Sequence, residues 1–298
     1  MSKRSTFAVW GMSGSLTTLD ALAHDEALAT LQNTLDAMTV VASRFRDDSE
    51  ISLLNQSYEP AVLSPLMTQV FEAARDAYVM TRGACDPTTL PAIEAMGYRS
   101  DYDHLVPQGH ETATAPAPGL ANVSFDPTTS TLVRPAGVRF DFGATAKALT
   151  CDLVARAVGA SSGVCVEIGG DVAFGGPAPL TGWVIGVSDA TTIAGDEPRI
   201  ALTGGGVATS SSAVRTWETT TTTRHHIIDP RTGQSATSDI ICASVAADSC
   251  VTANAFATAC VAWGSDVLYD LTQAGWSARL VTRNGDVLYA GGWPEDHA

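Results

Sequence analysis

The chain has 298 residues, 45% hydrophobic and 16% charged, a composition that fills one large core or two modest ones and is not that of a disordered protein. Its formal net charge of −15 argues against a nucleic-acid partner, because a phosphate backbone is gripped by clustered Lys and Arg. A small anionic ligand stays compatible with that charge if a metal ion or a few local cations neutralise it.

Near the start, Lys3 and Arg4 precede the apolar run Phe7–Trp10, which is too short for a signal-peptide core. No stretch approaches the ~20 apolar residues of a membrane span, so the expectation is a cytoplasmic protein without a transmembrane segment. Leu28, Leu31, Leu35, Met38, Val41 and Phe45 recur at helical spacing and predict an amphipathic helix over 25–46. A second helix fits 65–81, with Ser64 as cap, Pro65 in the first turn and Gly83 just past the end. Residues 99–120, rich in Pro, His, Asp and Thr, read as a surface loop and the best internal joint. Residues 121–143 look like a β-hairpin leading into a third helix near 144–158. Runs at 163–168, 182–188 and 198–202, each bounded by Gly or Pro, read as strands. Thr216-Trp217-Glu218 and the threonine run Thr219–Thr223 suggest a hairpin tip without a role. A helix near 251–263, another after Ser265 and a hairpin turning at Asn284-Gly285 close the chain. Strands and helices without strict β-α-β alternation indicate an α+β fold. Cys85, Cys151, Cys165, Cys242, Cys250 and Cys260 form no Cys-x-x-Cys pair and sit mostly in apolar segments, as buried free thiols do.

Lys147 is one of only two lysines and lies near the start of a predicted helix, after Gly143, where backbone N–H groups and the helix dipole favour an anion. Asp141 ends the strand-like run Val138–Phe142 and reads as a helix-capping or turn aspartate. Asp152, further along the same helix, reads as solvated. Asp86-Pro87-Thr88-Thr89 recurs as Asp126-Pro127-Thr128-Thr129, and the second copy is most simply a turn. Of the adjacent His225 and His226, His226 is the better general-base candidate, since imidazole titrates near neutrality. Arg231, in the turn Asp229-Pro230-Arg231-Thr232-Gly233, reads equally as a phosphate contact or as one half of a salt bridge holding the loop.

Met12-Ser13-Gly14, Arg44 through Asn55, Gly83–Thr88, Asp141–Lys147, Glu167–Asp171, Val207–Ser210, His226–Gly233 and Asn254–Thr258, in that order, resemble the ApbE family of flavin transferases. That family uses FAD and a divalent metal to place FMN on a protein threonine. The resemblance covers nearly the whole chain and implies one domain over 1–298 with T-fold-like mixed sheets and packed helices, open to division into two subdomains near 99–120. It implies flavin contacts at Met12, Phe45, Ala84, Cys85, Asp86, Asp141, Lys147 and Ile228. The metal, Mg²⁺ with Mn²⁺ as the alternative, would be held by the backbone carbonyl of Ala144 and the side chains of Asn254 and Thr258. Those two residues stand four apart on a helix and share a face, a spacing that suits two oxygen ligands of a hard cation. Lys147 and His226 are the implied catalytic pair, and the partners are FAD and an acceptor protein with a target threonine. Asn254 departs from the commoner Asp of the family, removing a negative charge and implying weaker metal binding. Ala144 and Ala148 stand where glycines are usual. Two alternatives follow, a FAD pyrophosphatase giving FMN and AMP and a non-catalytic FAD-binding protein. A cytoplasmic location would differ from the exported lipoproteins common in the family.

Overall fold

The structure, a computed structural model, describes residues 1–102, 112–188, 197–219 and 222–294. Its first hairpin joins β1 (Lys3–Val9) to β2 (Met12–Thr18) through Trp10-Gly11, whose φ angles of 51° and 68° are both positive. Two left-handed residues match the twist of the flanking strands, but Trp-Gly lacks the Asn or Asp that usually announces such a turn. The apolar run Phe7–Trp10 is therefore half a hairpin that its own sequence hides.

The first helix, α1 (His24–Ala42), ends four residues before the predicted boundary, where Ser43 turns to extended backbone. The Ser49 hydroxyl explains the stop. It donates to the carbonyls of Ser43 (2.7 Å) and Arg46 (3.0 Å) and accepts from Ser52 N (3.2 Å), closing the loop and capping α2 (Glu50–Gln56). Phe45 thus leaves the helix face and enters a loop. After β3 (Ala61–Val62), α3 (Pro65–Met80) starts as read from the sequence, with the Ser64 hydroxyl accepting from Met67 N and Pro65 in the first turn. A short α4 (Leu90–Ala95) follows.

The hairpin expected over 121–143 is confined to β4 (Ser124–Asp126) and β5 (Thr131–Val133), which β3 joins in the order β3-β5-β4. Val138, Phe140 and Phe142 keep the alternating burial of a strand. Their segment belongs to no sheet among the described residues, because the Asn55 side chain takes the neighbouring strand's place: Nδ2 donates to Phe140 O and Oδ1 accepts from Phe140 N, both at 2.8 Å.

Then come α5 (Thr145–Gly159), β6 (Val164–Ile168), β7 (Asp171–Gly175), β8 (Trp183–Gly186), β9 (Arg199–Leu202) and β10 (Gly206–Ser211). The small hairpins β11 (Thr216–Glu218) with β12 (Thr223–His225) and β13 (Ile228–Asp229) with β14 (Gln234–Ser235) precede β15 (Ile240–Ala247). Last are α6 (Cys250–Trp263), a 3₁₀ turn, α7 (Leu268–Gln273) and the predicted closing hairpin β16 (Ser277–Thr282) and β17 (Val287–Ala290).

Eight strands form one antiparallel sheet in the order β1-β2-β6-β7-β10-β15-β16-β17. Leu31, Leu35 and Met38 of α1, Phe71 of α3 and Val154 of α5 pack with Leu16, Val164 and Val166 on one face, while Phe256 of α6 packs with Val245 and Leu280 further along. On the opposite face, Trp183 and Ile200 of the β8–β9 hairpin cover Cys165, Val172 and Val207. Strands covered on both faces lose their alternation, which is why β10 and β15 are hard to read from sequence. All six cysteines are buried and free, and among the described residues no helix is long and apolar enough to cross a membrane.

Asp152 departs from the solvated reading. It is half-buried, and its two oxygens accept from Cys250 N (2.9 Å) and Val251 N (3.0 Å), pinning α5 to the N-terminus of α6; burial raises its pKa. Residues 103–111 of the expected loop at 99–120 lie outside the described residues. The remainder is tied down by Thr112 N to Ala95 O, Ala117 N to Pro230 O and Gly119 N to Thr88 Oγ1.

The seam between α5 and β7 is closed by Gly175, where a Cβ would stand 1.9 Å from Ala155 O and 2.6 Å from its carbonyl carbon. Both contacts are backbone, so neither can rotate away. Gly175→Ala should cost about 1–3 kcal/mol or more by overpacking, measured as a lower denaturant midpoint at unchanged m-value.

Candidate active site

A cavity of about 1400 Å³ lies among the loop after α1, the α3–α4 connection, the first turn of α5, the β6–β7 turn and α6. The β6–β7 connection, Gly169-Gly170, has φ of 58° and 90°, a tight hairpin that delivers Asp171 into the cavity at the first residue of β7. Gly169 is required twice over: its φ is left-handed, and a Cβ there would meet Met12 Sδ at 2.4 Å. Met12, itself at the cavity wall, packs against that turn.

Asp171, only 1% exposed, is the hub of the site. Its Oδ1 accepts from Asn254 Nδ2 at 2.8 Å, and Lys147 Nζ lies 2.9 Å from its Oδ2. Lys147 Nζ also donates to Gly143 O at 3.2 Å. The lysine expected to face an anion therefore stands on a carboxylate. Because its Nδ2 is committed to Asp171, Asn254 presents Oδ1 as a buried acceptor with no hydrogen-bond partner among the described residues. One helical turn on, Thr258 Oγ1 shares a hydrogen with Ser210 Oγ at 3.2 Å. Ala144, at the start of α5, packs on Cys85 and Ala255 beside them, and the neighbouring Ala148 is fully buried.

A second group of side chains surrounds Asp141. The aspartate closes a local turn, Oδ1 accepting from Gly143 N at 2.7 Å, and its side chain lines the cavity. Arg44 Nε meets its Oδ2 at 3.0 Å, and the Arg44 guanidinium lies 4.1 Å from the Phe45 ring centroid and 4.5 Å from that of Tyr98. A cation held over two rings and against a carboxylate is fixed in place, each ring contact contributing about 0.5–2 kcal/mol.

The two Asp-Pro-Thr-Thr copies fold into the same turn. Asp86 Oδ1 accepts from Thr88 N (2.7 Å) and Oγ1 (2.6 Å), and Asp126 Oδ1 accepts from Thr128 N (2.9 Å). Only Asp86 reaches the cavity, where burial raises its pKa, whereas Asp126 sits on the surface. Burial also pushes the neighbouring Cys85 thiol up to about 12, which leaves it a wall, with Ala84 and Ile228, rather than a nucleophile.

The adjacent histidines divide. His225 is occupied by Ala236 O through Nε2 at 2.9 Å, whereas His226 lines the cavity. Burial, reinforced by the positive charge of Arg215, the neighbouring His225 and Lys147, lowers the His226 pKa to about 3. It is neutral, the form that accepts a proton, throughout the physiological range. The unfolded histidine, at 6.5, binds protons that the folded one refuses, so its contribution to stability is complete above pH 6.5 and declines as pH falls from 6.5 toward 3. His226→Gln should flatten that part of the acid-unfolding curve. Arg231 is the salt-bridge reading of its turn: it pairs with Asp229 (3.0 Å) and covers the Trp263 ring at 4.8 Å, away from the cavity lining.

The twelve positions that the family resemblance implies for flavin, metal and catalysis all line one cavity, whereas Arg231 does not. The sequence reading passed over Asp171, Arg44 and Arg215 as site residues. A double glycine followed at once by Asp is the one signal that could have found Asp171.

A model of the ApbE family matches residues 10–280. Over 256 residues the chain is 28% identical to a FAD:protein FMN transferase of Vibrio cholerae, covering 82% of this chain and 76% of that one. The fold matches the crystal structure of the ApbE protein from Thermotoga maritima with a TM-score of 0.83 at 26% identity, over 97% of both chains. It matches the apo flavinyl transferase ApbE of Pseudomonas stutzeri with a TM-score of 0.78 at 20% identity, over 97% of this chain and 93% of that one.

Proposed function

The chain belongs to the ApbE family, and from that premise we propose that it transfers FMN from FAD to a threonine of an acceptor protein, releasing AMP. The observation that carries this reading is the convergence of Lys147, His226, Asp171, Asn254 and Thr258 on one cavity. The threonine Oγ attacks the phosphorus on the FMN side of the pyrophosphate, forming an Oγ–P bond while the bridging oxygen leaves with AMP. His226 takes the hydroxyl proton. Its Nδ1 is shut away from solvent with no partner among the described residues, which leaves Nε2 for the acceptor. Lys147 and Arg215 supply positive charge along the same wall.

A divalent metal fits the donor set, since Asn254 Oδ1 is buried and unpaired and Thr258 lies one turn away on the same helix. Mg²⁺, with Mn²⁺ as the alternative, would be held by these side chains and the Ala144 carbonyl. When bound it neutralises pyrophosphate oxygens. Chelation should stop transfer, and either cation should restore it; transfer indifferent to chelator would remove the metal from the mechanism. Six free, buried cysteines support a reducing compartment, and we place the protein in the cytoplasm on that ground.

The depressed pKa of His226 adds a kinetic expectation. Between pH 8 and 6 the profile of kcat/KM for FAD should show no loss with a midpoint near 6.5, because the free enzyme's base is already neutral there. The reading itself is tested by incubating the chain with FAD and a threonine-bearing acceptor: flavin fluorescence should stay with the acceptor after denaturation.

A further inference from the structure

We propose that Asp171 is the residue whose charge holds the divalent cation in this chain, and that Lys147 is the counterion standing on Asp171 until the cation arrives. This rests on the metal-dependent reading above and deepens it. The Ala144 carbonyl, the Asn254 amide and the Thr258 hydroxyl are all neutral, and affinity for a hard cation depends on the charge of its ligands. A carboxylate must come from elsewhere in the cavity.

The five other carboxylates of the cavity wall, Asp86, Asp101, Asp141, Glu167 and Glu197, all have partners of their own. Asp86 closes its turn with Thr88, Asp141 holds Arg44 and Gly143 N, and Glu167 accepts from Ser15 Oγ at 2.9 Å. Asp171 is different. Its Oδ2 is buried, and its one partner among the described residues is Lys147 Nζ, an ion pair at 2.9 Å that falls outside hydrogen-bond geometry. Asn254 Oδ1 is also buried and has no partner among the described residues, on a residue hydrogen-bonded directly to Asp171. Two linked residues thus carry one buried acceptor that only Lys147 approaches and one that no donor approaches among the described residues, an arrangement that a cation would complete.

The amide at position 254 then has a physical reason. An aspartate there would put a second carboxylate within 2.8 Å of Asp171, whereas asparagine keeps the pair at one negative charge, balanced by Lys147. A cation that takes over Asp171 frees the Lys147 ammonium to turn toward the phosphates. Metal loading and lysine availability become one event.

The test is Mn²⁺ binding to the full chain without FAD, followed by calorimetry or by the resonance signal of free Mn²⁺. Asp171→Asn should weaken binding by about tenfold or more. Lys147→Met should bind Mn²⁺ severalfold tighter than the parent chain, although its FMN transfer is strongly reduced. A lysine that only contacts phosphate would leave Mn²⁺ affinity unchanged, so that outcome overturns the proposal, as does undiminished binding by Asp171→Asn. Because Asp171→Asn strands Lys147, the double variant Asp171→Asn/Lys147→Met guards against misfolding, and it should bind as weakly as Asp171→Asn. Acceptor flavinylation is scored separately: its failure with the Mn²⁺ pattern intact would reject the transferase reading and uphold the cation site.

Discussion

Lys147→Ala should lower FMN transfer by about 10²–10³-fold, the range seen when one preorganised charge is removed from a developing oxyanion. The residue sits in the first turn of α5, is about one-fifth exposed and has its ammonium within 2.9 Å of a carboxylate that is almost wholly buried. Its removal therefore has two consequences of different kind. Catalysis loses the cation that meets charge leaving with AMP. Folding loses the partner of a buried anion, a change that typically costs about 3–5 kcal/mol. The two separate in one experiment: if Asp171 holds the cation as proposed, adding Mn²⁺ should restore the melting temperature of the variant without restoring transfer. Lys147→Arg is not a conservative control, because a planar fork cannot occupy the site of a compact ammonium. Full transfer by a folded Lys147→Ala chain would remove the lysine from the reaction.

His226→Ala carries the second large effect, a fall in turnover of about 10²–10⁴-fold, as for loss of a positioned general base. The KM for FAD should move little, since the imidazole addresses the acceptor hydroxyl rather than the flavin. His225 provides the contrast inside the same dipeptide: its Nε2 is spent on Ala236 O, so His225→Ala should cost stability more than rate. Changes at Thr222 and Thr223, outside the cavity on the β11–β12 hairpin, should leave turnover unchanged.

How much of this was legible beforehand depends on which force set each element. The α3 start was readable because Ser64 and Pro65 act locally, through a side-chain cap and a fixed φ. The end of α1 was not, because helical spacing runs on to Phe45 while a hydroxyl six residues past Ser43 breaks the helix. The strand-like pattern of Val138–Phe142 correctly foretold burial and wrongly foretold pairing, since an asparagine side chain 85 residues away supplies the hydrogen bonds. The site residues were recognisable as motifs, and the cavity collects them. What the motifs hid is the pairing: Lys147 reads as a free cation until Asp171, 24 positions later, is brought against it by the β6–β7 turn. Asp152 failed for the same reason, its partners being the N–H groups of α6.

The measurement that bears most directly on the central claim is a paired count of products from FAD, Mg²⁺ and a threonine-bearing acceptor. The expected result is one AMP released for each flavin found covalently on the acceptor, with neither product formed in chelator. AMP accompanied only by free FMN would contradict transfer and establish a pyrophosphatase, and FAD bound but intact would contradict catalysis altogether.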